Sequence, residues 1–306
     1  MSTIREPWLP FLIERNTMNY VGRFAPSPSG PLHFGSLVAA LGSYFQAKSQ
    51  SGIWLVRMED LDPPREMPGA ADLILRTLEA YHLYWDGGVV YQSQRHHLYQ
   101  QQIEQWLMEG VAYCCQCSRK QIKADGGYYL GHCRDLHLSP NGHAVRVKTE
   151  HAVTQFTDLK QGNIAIPFAL AQEDFIIKRR DGLLAYNLAV VIDDIAQGVT
   201  EVVRGADLIE PTGRQIGLYQ LLKQEPVSYL HLPLAVTESG AKLSKQNHAP
   251  AIELNNPLPT LIAAMTFLGF DIPSDVQEAS IDEILAWGLA HWSISQLPKE
   301  TQITTL

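Results

Sequence analysis

Apolar residues fall into two short runs near the start of the chain, separated by a longer amphipathic segment. The runs cover residues 19–24 and 53–58, and the second is apolar enough for a strand buried on both faces. Between them, apolar side chains from Leu37 to Phe45 recur at helical spacing, which predicts a helix over about residues 35–50. Strand, helix and strand in this order form a βαβ unit. We therefore expect an α/β protein built on a doubly wound parallel sheet.

The same alternation of elements continues along the chain. Helices are predicted over about residues 69–82, 96–109 and 212–223, and strands over 144–148, 175–178 and 199–203. A long apolar run, Tyr186–Ile192, leads into Asp193 and Asp194. The segment from about Pro257 to the end has a short helical pattern.

Composition narrows the class of protein. Of 306 residues, 45% are hydrophobic and 18% are charged, which is typical of a globular chain and excludes a disordered, collagen-like or coiled-coil protein. The net charge of −8 argues against a general nucleic-acid coat protein. Nucleic-acid binding is not excluded, because a local basic patch can act within an acidic chain. No apolar run approaches the ~20 residues that span a bilayer. Residues 1–17 carry charges without an apolar stretch, so we expect a cytoplasmic protein with no membrane partner.

All four cysteines fall between Cys114 and Cys133, and so short a window favours a metal site over a disulfide framework. Cys115, Cys117 and Cys133 supply three thiolates, and Zn²⁺ takes four ligands. Three residues compete for the fourth place: Cys114, Tyr129 and His132. His132 adjoins Cys133, and neighbours in an extended chain point apart. Alternatively, the four cysteines are reduced and pack as small apolar residues.

The loop after the first predicted strand has the chemistry of a nucleotide site. It reads Arg23-Phe-Ala-Pro-Ser-Pro-Ser-Gly-Pro-Leu-His33-Phe-Gly35-Ser36 and leads into a helix N-terminus, which favours phosphate. Gly35 lets a nucleotide approach the backbone, and His33 can donate to a phosphate oxygen. Ser36 either offers a hydroxyl or caps the helix. By itself the segment also fits a Pro-rich loop with a capping serine.

A second loop, Lys242-Leu-Ser-Lys245-Gln246, places two lysines three residues apart among Gly and Ser residues. Such lysines can follow a triphosphate and neutralise the charge that grows on departing pyrophosphate. By itself the loop also fits a solvated basic segment.

In this order the two loops resemble the HIGH and KMSKS signatures of class I aminoacyl-tRNA synthetases. Residues 23–35, followed by Arg57-Met-Glu-Asp-Leu-Asp-Pro-Pro-Arg65, are similar to the glutamyl/glutaminyl branch of that class. The sequence departs from the signatures at Ser36 and Gln246. The resemblance covers about residues 20–246.

Length and cysteine pattern refine the resemblance. Only about sixty residues follow the second loop, too few for the anticodon-binding domain of a full glutamyl-tRNA synthetase. Together with the cysteines, this resembles the glutamyl-Q tRNA(Asp) synthetase family. The resemblance implies activation of L-glutamate with ATP, without tRNA, and transfer of glutamate to queuosine in the anticodon of tRNA(Asp). One alternative is a truncated glutamyl-tRNA synthetase that charges the tRNA 3′ end. Another is a catalytically inactive, zinc-bearing RNA-binding module, but such a module would be expected to lack His33 or Lys245, and both are present.

The resemblance also implies a division of the chain and a monomeric protein. The expected parts are an N-terminal extension (1–17, with Met18 as an alternative start), two halves of a Rossmann-type catalytic domain (18–110 and 181–250), a zinc-binding and acceptor-binding insert (111–180), and a short helical C-terminal segment (251–306), with no anticodon-binding domain.

Site residues follow from substrate chemistry and the resemblance. Glutamate carries two carboxylates and one ammonium, so its pocket needs at least one guanidinium and one acid. The implied glutamate site consists of Arg23, Ala25, Ser27, Glu59, Tyr186 and Arg204. The implied site for ATP, bound with Mg²⁺, consists of His33, Gly35, Ser36, Lys242 and Lys245. One structural Zn²⁺ per chain is expected on Cys115, Cys117, Tyr129 and Cys133.

Several charged residues near these segments have simpler interpretations. We expect Arg57 and Arg65 to form structural ion pairs with Asp60 or Asp62. Asp193 and Asp194 are either a metal pair or, preferably, loop carboxylates that cap a helix or order Arg204. The basic residues Lys178, Arg179 and Arg180 either contact RNA phosphates or form a solvated turn. We expect the isolated histidines to be hydrogen-bonded core residues or surface residues; they are His82, His231 and His291.

Overall fold

The structure, a computed structural model, describes residues 20–150, 152–238, 240 and 250–304. Its first unit is the predicted one. Strand β1 (Val21–Phe24) pairs in parallel with β2 (Ile53–Met58), and helix α1 (Phe34–Ser49) connects them. A short strand β3 (Val90–Tyr91) extends this sheet in parallel beyond β2, after helix α2 (Ala70–Ala80).

A second parallel group of strands lies beside the first. In chain order the middle of the protein contains α3 (His96–Met108), β4 (Ala112–Cys115), α4 (Arg119–Ala124), β5 (Ala144–Val147), β6 (Gln155–Asp158), β7 (Gly162–Ala165), α5 (Phe168–Ala171), β8 (Ile176–Lys178), α6 (Tyr186–Ala196), β9 (Glu201–Gly205), α7 (Ile209–Leu221), β10 (Ser228–Leu232) and β11 (Leu234–Val236). Strand β10 pairs in parallel with both β9 and β6, and β7 pairs antiparallel with β6.

The two groups of strands meet between β1 and β9. The Thr200 N–H donates to the Val21 carbonyl over 2.9 Å, and the Val21 N–H donates to the Thr200 hydroxyl over 3.0 Å. Joined through these bonds, the strands have the spatial order β3-β2-β1-β9-β10-β6-β7. The chain adds strands on one side of β1 first and on the side of β9 later, so the topological switch point lies between β1 and β9. In open α/β sheets, ligands bind at the carboxyl ends of the strands at such a switch point.

Helices cover both faces of these strands, as a doubly wound sheet requires. On β10, Leu230 and Leu232 pack into a core shared with α1 and the C-terminal helices. Tyr229, the neighbour of Leu230, packs with Phe156 and Val202 on the other face. Alternate residues of a strand thus serve two cores, which explains why β10 is apolar on both faces.

Between α3 and α6 the chain forms a smaller unit. Strands β4, β5 and β8 make an antiparallel sheet; Cys114 and Cys115 end β4, and Cys117 and Cys133 lie in the connection between β4 and β5. The β6–β7 hairpin, which the hydrophobic pattern did not indicate, joins the parallel strands through β10. The apolar run from Tyr186 forms helix α6, which continues through Asp193 and Asp194 to Ala196.

The C-terminal segment is helical, as predicted. It contains α8 (Leu258–Phe267), α9 (Ser274–Gln277) and α10 (Ile281–His291), and it ends in β12 (Gln302–Thr304), which pairs in parallel with β11. Over the described ranges, every helix is too short or too polar to cross a bilayer.

Candidate active site

A cavity of about 910 Å³ opens at the carboxyl ends of β1, β2 and β9. It is large enough for a nucleotide and an amino acid. Its lining includes nine residues predicted from the sequence: Arg23, Ala25, Ser27, His33, Gly35, Ser36, Glu59, Tyr186 and Arg204. The two lysines predicted for the same site, Lys242 and Lys245, lie outside the described residues.

The N-terminus of α1 opens into this cavity. His33 is the N-cap of the helix, and its Nδ1 accepts the Ser36 N–H over 3.3 Å. The sequence left open whether Ser36 caps this helix; in the structure the capping residue is His33. Two backbone bonds hold the loop in front of the helix: the Glu59 N–H donates to the Pro26 carbonyl over 3.0 Å, and the Met67 N–H to the Pro28 carbonyl over 3.0 Å. These contacts hold the loop beside the helix N-terminus, which favours a phosphate group.

Beneath the cavity, Asp194 of α6 joins two arginines. Its carboxylate accepts from Arg23 Nε over 3.1 Å and from Arg57 Nη1 over 2.8 Å, and all three side chains are buried. Burial opposes ionisation of Asp194, but the two arginines lower its pKa. Within the described part of the chain, both hydrogen bonds of Arg23 go to Asp194, through Nε and Nη2, which leaves Nη1 for a ligand. Asp194 therefore holds Arg23 with one edge towards the cavity.

Asp193 fixes a second set of side chains, on the neighbouring face of α6. It accepts from Arg95 Nε over 2.7 Å, from the Tyr99 hydroxyl over 2.7 Å and from Gln92 Nε2 over 2.8 Å. Its side chain is fully buried. A carboxylate bonded in this way orders the floor of the cavity from within the protein.

The structure corrects two expectations about these acids. Asp193 and Asp194 are helical and buried, and they order Arg23, Arg57 and Arg95 rather than Arg204; loop position and helix capping were wrong. Arg57 pairs with Asp194 and lies 3.9 Å from Glu59, so its expected pairing with Asp60 or Asp62 was also wrong. Arg65 does bond Asp62, over 2.6 Å.

Glu59 follows β2 and faces the cavity with a carboxylate that is only 10% exposed. Among the described residues its buried Oε1 has no hydrogen-bond partner, and the nearest cationic atom, Arg57 Nη2, is 3.9 Å away. Burial raises the pKa of Glu59 from 4.5 to about 7, against the opposing effect of Arg57 and Arg23. A buried carboxylate oxygen that lacks a hydrogen bond can receive a cationic ligand group.

Arg204 lies in β9 on the opposite wall of the cavity. Its Nη2 donates to the Thr212 hydroxyl over 2.6 Å and to the Leu208 carbonyl over 3.1 Å. Its Nη1 donates to Gln215 Oε1 over 2.8 Å and, more loosely, to the Tyr186 hydroxyl over 3.4 Å. The guanidinium is therefore held on its protein side, and its weakest bond is the one at the cavity.

The cysteines converge as the sequence predicts. The Sγ atoms of Cys115, Cys117 and Cys133 lie within 4.8 Å of one another, and those of Cys117 and Cys133 are 3.5 Å apart. Three thiolates around a tetrahedral Zn²⁺, each at about 2.3 Å, are separated by about 3.8 Å, so the donor set fits this ion. The Tyr129 hydroxyl lies in the same cluster, where it accepts the Cys133 N–H over 2.8 Å.

The other two competitors for the fourth position point elsewhere. Cys114 packs into the core formed with α3, on the opposite face of β4. His132 Nε2 lies 3.3 Å from Asp125 and is half exposed. Arg146 places its guanidinium 3.8 Å above the ring of Tyr129, where it can balance negative charge on the cluster.

The mouth of the cavity carries basic side chains from two elements. Arg65 and Arg179 both pair with Oδ2 of Asp62 and both line the cavity; Arg65 is exposed and Arg179 is partly exposed. Of the other predicted phosphate contacts, Lys178 donates to Gln100 Oε1 over 2.8 Å, and Arg180 donates to the Gln116 carbonyl over 2.6 Å. Among the three, only Arg179 lies at the cavity.

Comparison with known proteins agrees with this geometry. Residues 20–275 match the family of class I tRNA synthetases (E and Q), catalytic domain. The chain is 69% identical over 296 residues to a glutamyl-Q tRNA(Asp) synthetase of Vibrio vulnificus, with 97% of each chain covered. It is 57% identical over 293 residues to the glutamyl-Q tRNA(Asp) synthetase of Escherichia coli O6:H1, with 95% of each covered.

Solved structures show the same fold. The chain superposes on the glutamate-tRNA synthetase of Elizabethkingia anophelis with a TM-score of 0.76 and 22% identity, over 93% of this chain and 68% of the other. This chain belongs to the glutamyl-Q tRNA(Asp) synthetase family, within the class I tRNA synthetases that also contain the glutamyl and glutaminyl enzymes.

Proposed function

We propose that this protein is a ligase that activates L-glutamate with ATP, without tRNA, and transfers the glutamyl group to queuosine in the anticodon of tRNA(Asp). One observation carries the proposal. Nine predicted residues from four separate stretches of sequence line a single cavity. They include the acid Glu59, whose Oε1 has no hydrogen-bond partner among the described residues, the buried guanidinium of Arg23, and the pair Arg204 and Tyr186.

The glutamate molecule is bound by charges of both signs. Its ammonium meets the Oε1 of Glu59, which accepts no hydrogen bond from any residue that the structure describes. Its two carboxylates meet Arg23, through Nη1, and Arg204, through the Nη1 edge that Tyr186 shares. Ala25 and Ser27 complete the pocket wall. A substrate with one ammonium and two carboxylates matches this set, and a neutral amide in place of one carboxylate would leave a buried guanidinium without its anion.

ATP is bound at the N-terminus of α1. His33, Gly35 and Ser36 contact its phosphates, and the sequence assigns Lys242 and Lys245 to the same phosphates. An oxygen of the substrate α-carboxylate attacks the α-phosphorus in line; the new O–P bond forms as the bond to the β-phosphate oxygen breaks, and pyrophosphate leaves with the electron pair. The lysines stabilise the charge on that leaving group, and Mg²⁺ bound with ATP supplies further charge neutralisation.

The second step uses the same cavity from its mouth. A hydroxyl of the queuosine diol attacks the carbonyl carbon of glutamyl-adenylate, an ester forms, and AMP leaves with the electrons of the broken C–O bond. Arg179 at the mouth contacts backbone phosphates of the anticodon loop. Zn²⁺ bound by Cys115, Cys117, Cys133 and Tyr129 would stabilise the small antiparallel unit; three thiolate ligands leave it little Lewis acidity, so its role is structural.

Two measurements on one preparation test the proposal. Glutamate-dependent ATP–pyrophosphate exchange should occur with no RNA present. Labelled glutamate should then be transferred to tRNA(Asp) that carries queuosine and not to the same tRNA carrying guanosine there. Exchange that needs tRNA would contradict the first part, and equal transfer to both tRNAs would contradict the second.

A further inference from the structure

Behind Arg204, two buried titratable residues take no part in the steps above. His231 of β10 and Asp158 of β6 have fully buried side chains, and His231 Nδ1 lies 2.7 Å from Asp158 Oδ2. The same Oδ2 accepts the His231 N–H over 3.0 Å. Oδ1 accepts two N–H groups of the β6–β7 turn, from Lys160 over 2.9 Å and Gln161 over 2.8 Å. Both carboxylate oxygens are therefore hydrogen bonded inside the protein.

These bonds determine which nitrogen of His231 carries the proton. Burial opposes ionisation of Asp158, but the hydrogen bonds from His231 and the turn lower its pKa, so it is a carboxylate and can only accept. Burial lowers the pKa of His231 more than Asp158 raises it, and the ring is neutral. Nδ1 is thus the donor to Asp158, and Nε2 presents a lone pair.

That lone pair is directed at Arg204. Arg204 Nε lies 3.2 Å from His231 Nε2, and its N–H is the donor. The other anchors of the guanidinium, Thr212, Leu208 and Gln215, hold the Nη atoms and come from α7 and the turn before it. His231 is the anchor that comes from the sheet. It therefore sets the tilt of the guanidinium plane between the sheet and α7, and with it the direction of the Nη1 edge at the cavity.

We propose that His231 and Asp158 are positioning residues for the glutamate site: Asp158 fixes the Nδ1–H tautomer of His231, and His231 Nε2 then holds Arg204 in the orientation that binds a substrate carboxylate. The inference rests on the proposed function, because it assumes that Arg204 contacts glutamate. With the other tautomer, the lone pair of Nδ1 would face the Asp158 carboxylate over 2.7 Å, and Nε2–H would face the N–H of Arg204. The Thr212 hydroxyl, 3.3 Å from the same Nε2, would then be its acceptor, and the bond to Arg204 would be lost.

The test compares two amides at one position. In His231→Asn the amide reaches the place of Nδ1 and can donate to Asp158, but it ends short of Arg204. In His231→Gln the amide oxygen reaches the place of Nε2 and can accept from Arg204. In pyrophosphate exchange, His231→Asn should raise the KM for glutamate about 10-fold or more and leave the KM for ATP unchanged, whereas His231→Gln should stay within about 3-fold of the parent protein.

Controls separate positioning from loss of stability. Leu230→Val lies on the same strand and packs into the opposite core, so it should lower the melting temperature without changing the KM for glutamate. Nitrogen NMR of the parent protein gives an independent readout and should show His231 protonated at Nδ1 alone near neutral pH. An Nε2–H tautomer, or equal glutamate KM values for the Asn and Gln variants, would overturn the inference.

Arg204→Lys distinguishes this failure from failure of the proposed function. If the lysine variant has the parent KM for glutamate, Arg204 does not bind the substrate and the proposed glutamate site is wrong. If Arg204→Lys raises the KM for glutamate and His231→Asn does not, the site stands and the positioning role is wrong.

Discussion

Replacing Glu59 by glutamine should make the protein more stable and less able to bind glutamate. The parent carboxylate is 10% exposed, its Oε1 has no hydrogen-bond partner in the described part of the chain, and burial raises its pKa from 4.5 to about 7. Because the folded state holds this proton more tightly than the unfolded chain, ionised Glu59 costs stability. That cost grows as the pH rises from 4.5 to about 7 and then stays constant. The shift corresponds to about 3 kcal/mol, so at about pH 8 the glutamine variant should melt up to roughly 5 °C higher.

Binding should respond in the opposite direction. Without the carboxylate the substrate ammonium is buried without a counter-charge, which costs about 2–5 kcal/mol, a loss of affinity of about 30-fold or more. In the parent protein the substrate needs Glu59 ionised. Between about pH 8 and about pH 5.5 the ionised fraction of a group with a pKa near 7 falls about 30-fold, and the affinity for glutamate should fall with it. The ionisable groups of free glutamate do not titrate in that range.

Calorimetric titration of glutamate at several pH values, together with thermal melting of both proteins, measures these effects. The parent protein should release close to one proton per glutamate bound near pH 6, and the Glu59→Gln variant none. Affinity that is flat across this range in the parent protein, or unchanged in the variant, would show that the ammonium binds elsewhere.

Further predictions concern other parts of the site. Asp194→Asn should lower the free energy of unfolding by about 3–5 kcal/mol, because it breaks a buried pair with two arginines; urea denaturation checks this, with the exposed ion-pair variant Asp282→Asn changing little. Lys245→Ala should slow adenylate formation about 100-fold, with little change in the KM for ATP, because the charge on pyrophosphate develops in the transition state; presteady-state exchange kinetics measure the two effects separately, and a weakened KM with normal turnover would contradict the role. Metal analysis should find one zinc per chain, lost in Tyr129→Phe and retained in His132→Ala; zinc retained in the tyrosine variant would move the fourth ligand to His132.

Local patterns in the sequence predicted the helices, strands and loops that are determined by residues close together along the chain. The run over residues 53–58 and the helical spacing from Leu37 to Phe45 predicted β2 and α1. Residues that share a short segment with a recognisable loop, such as His33 and Gly35, line the cavity as expected. The β6–β7 hairpin was missed because its strands are short, with alternate exposed positions, and have few apolar residues to reveal them.

Contacts between distant segments could not be predicted from the same patterns. Asp194 bonds Arg23 across 171 positions, and Arg57 bonds Gln197 across 140. A carboxylate next to an arginine in sequence suggested a local ion pair for Arg57, but the fold brings α6 beneath β1 and β2 and supplies a nearer partner. His231 gave no signal at all beyond a polar residue inside an apolar strand, and its relation to Asp158 and Arg204 depends on the pairing of β10 with β6 and β9.

The acceptor of the glutamyl group tests the central claim most directly. Purified protein, ATP and labelled glutamate are incubated separately with tRNA(Asp) carrying queuosine and with tRNA(Glu), and the label is mapped after nuclease digestion, with periodate-oxidised RNA, in which both the queuosine diol and the terminal ribose diol are cleaved, as the control that labelling requires a diol. We predict label on the anticodon fragment of tRNA(Asp) and none on either terminal adenosine. Label on the terminal adenosine of tRNA(Glu), with none on the queuosine-bearing fragment, would contradict the account.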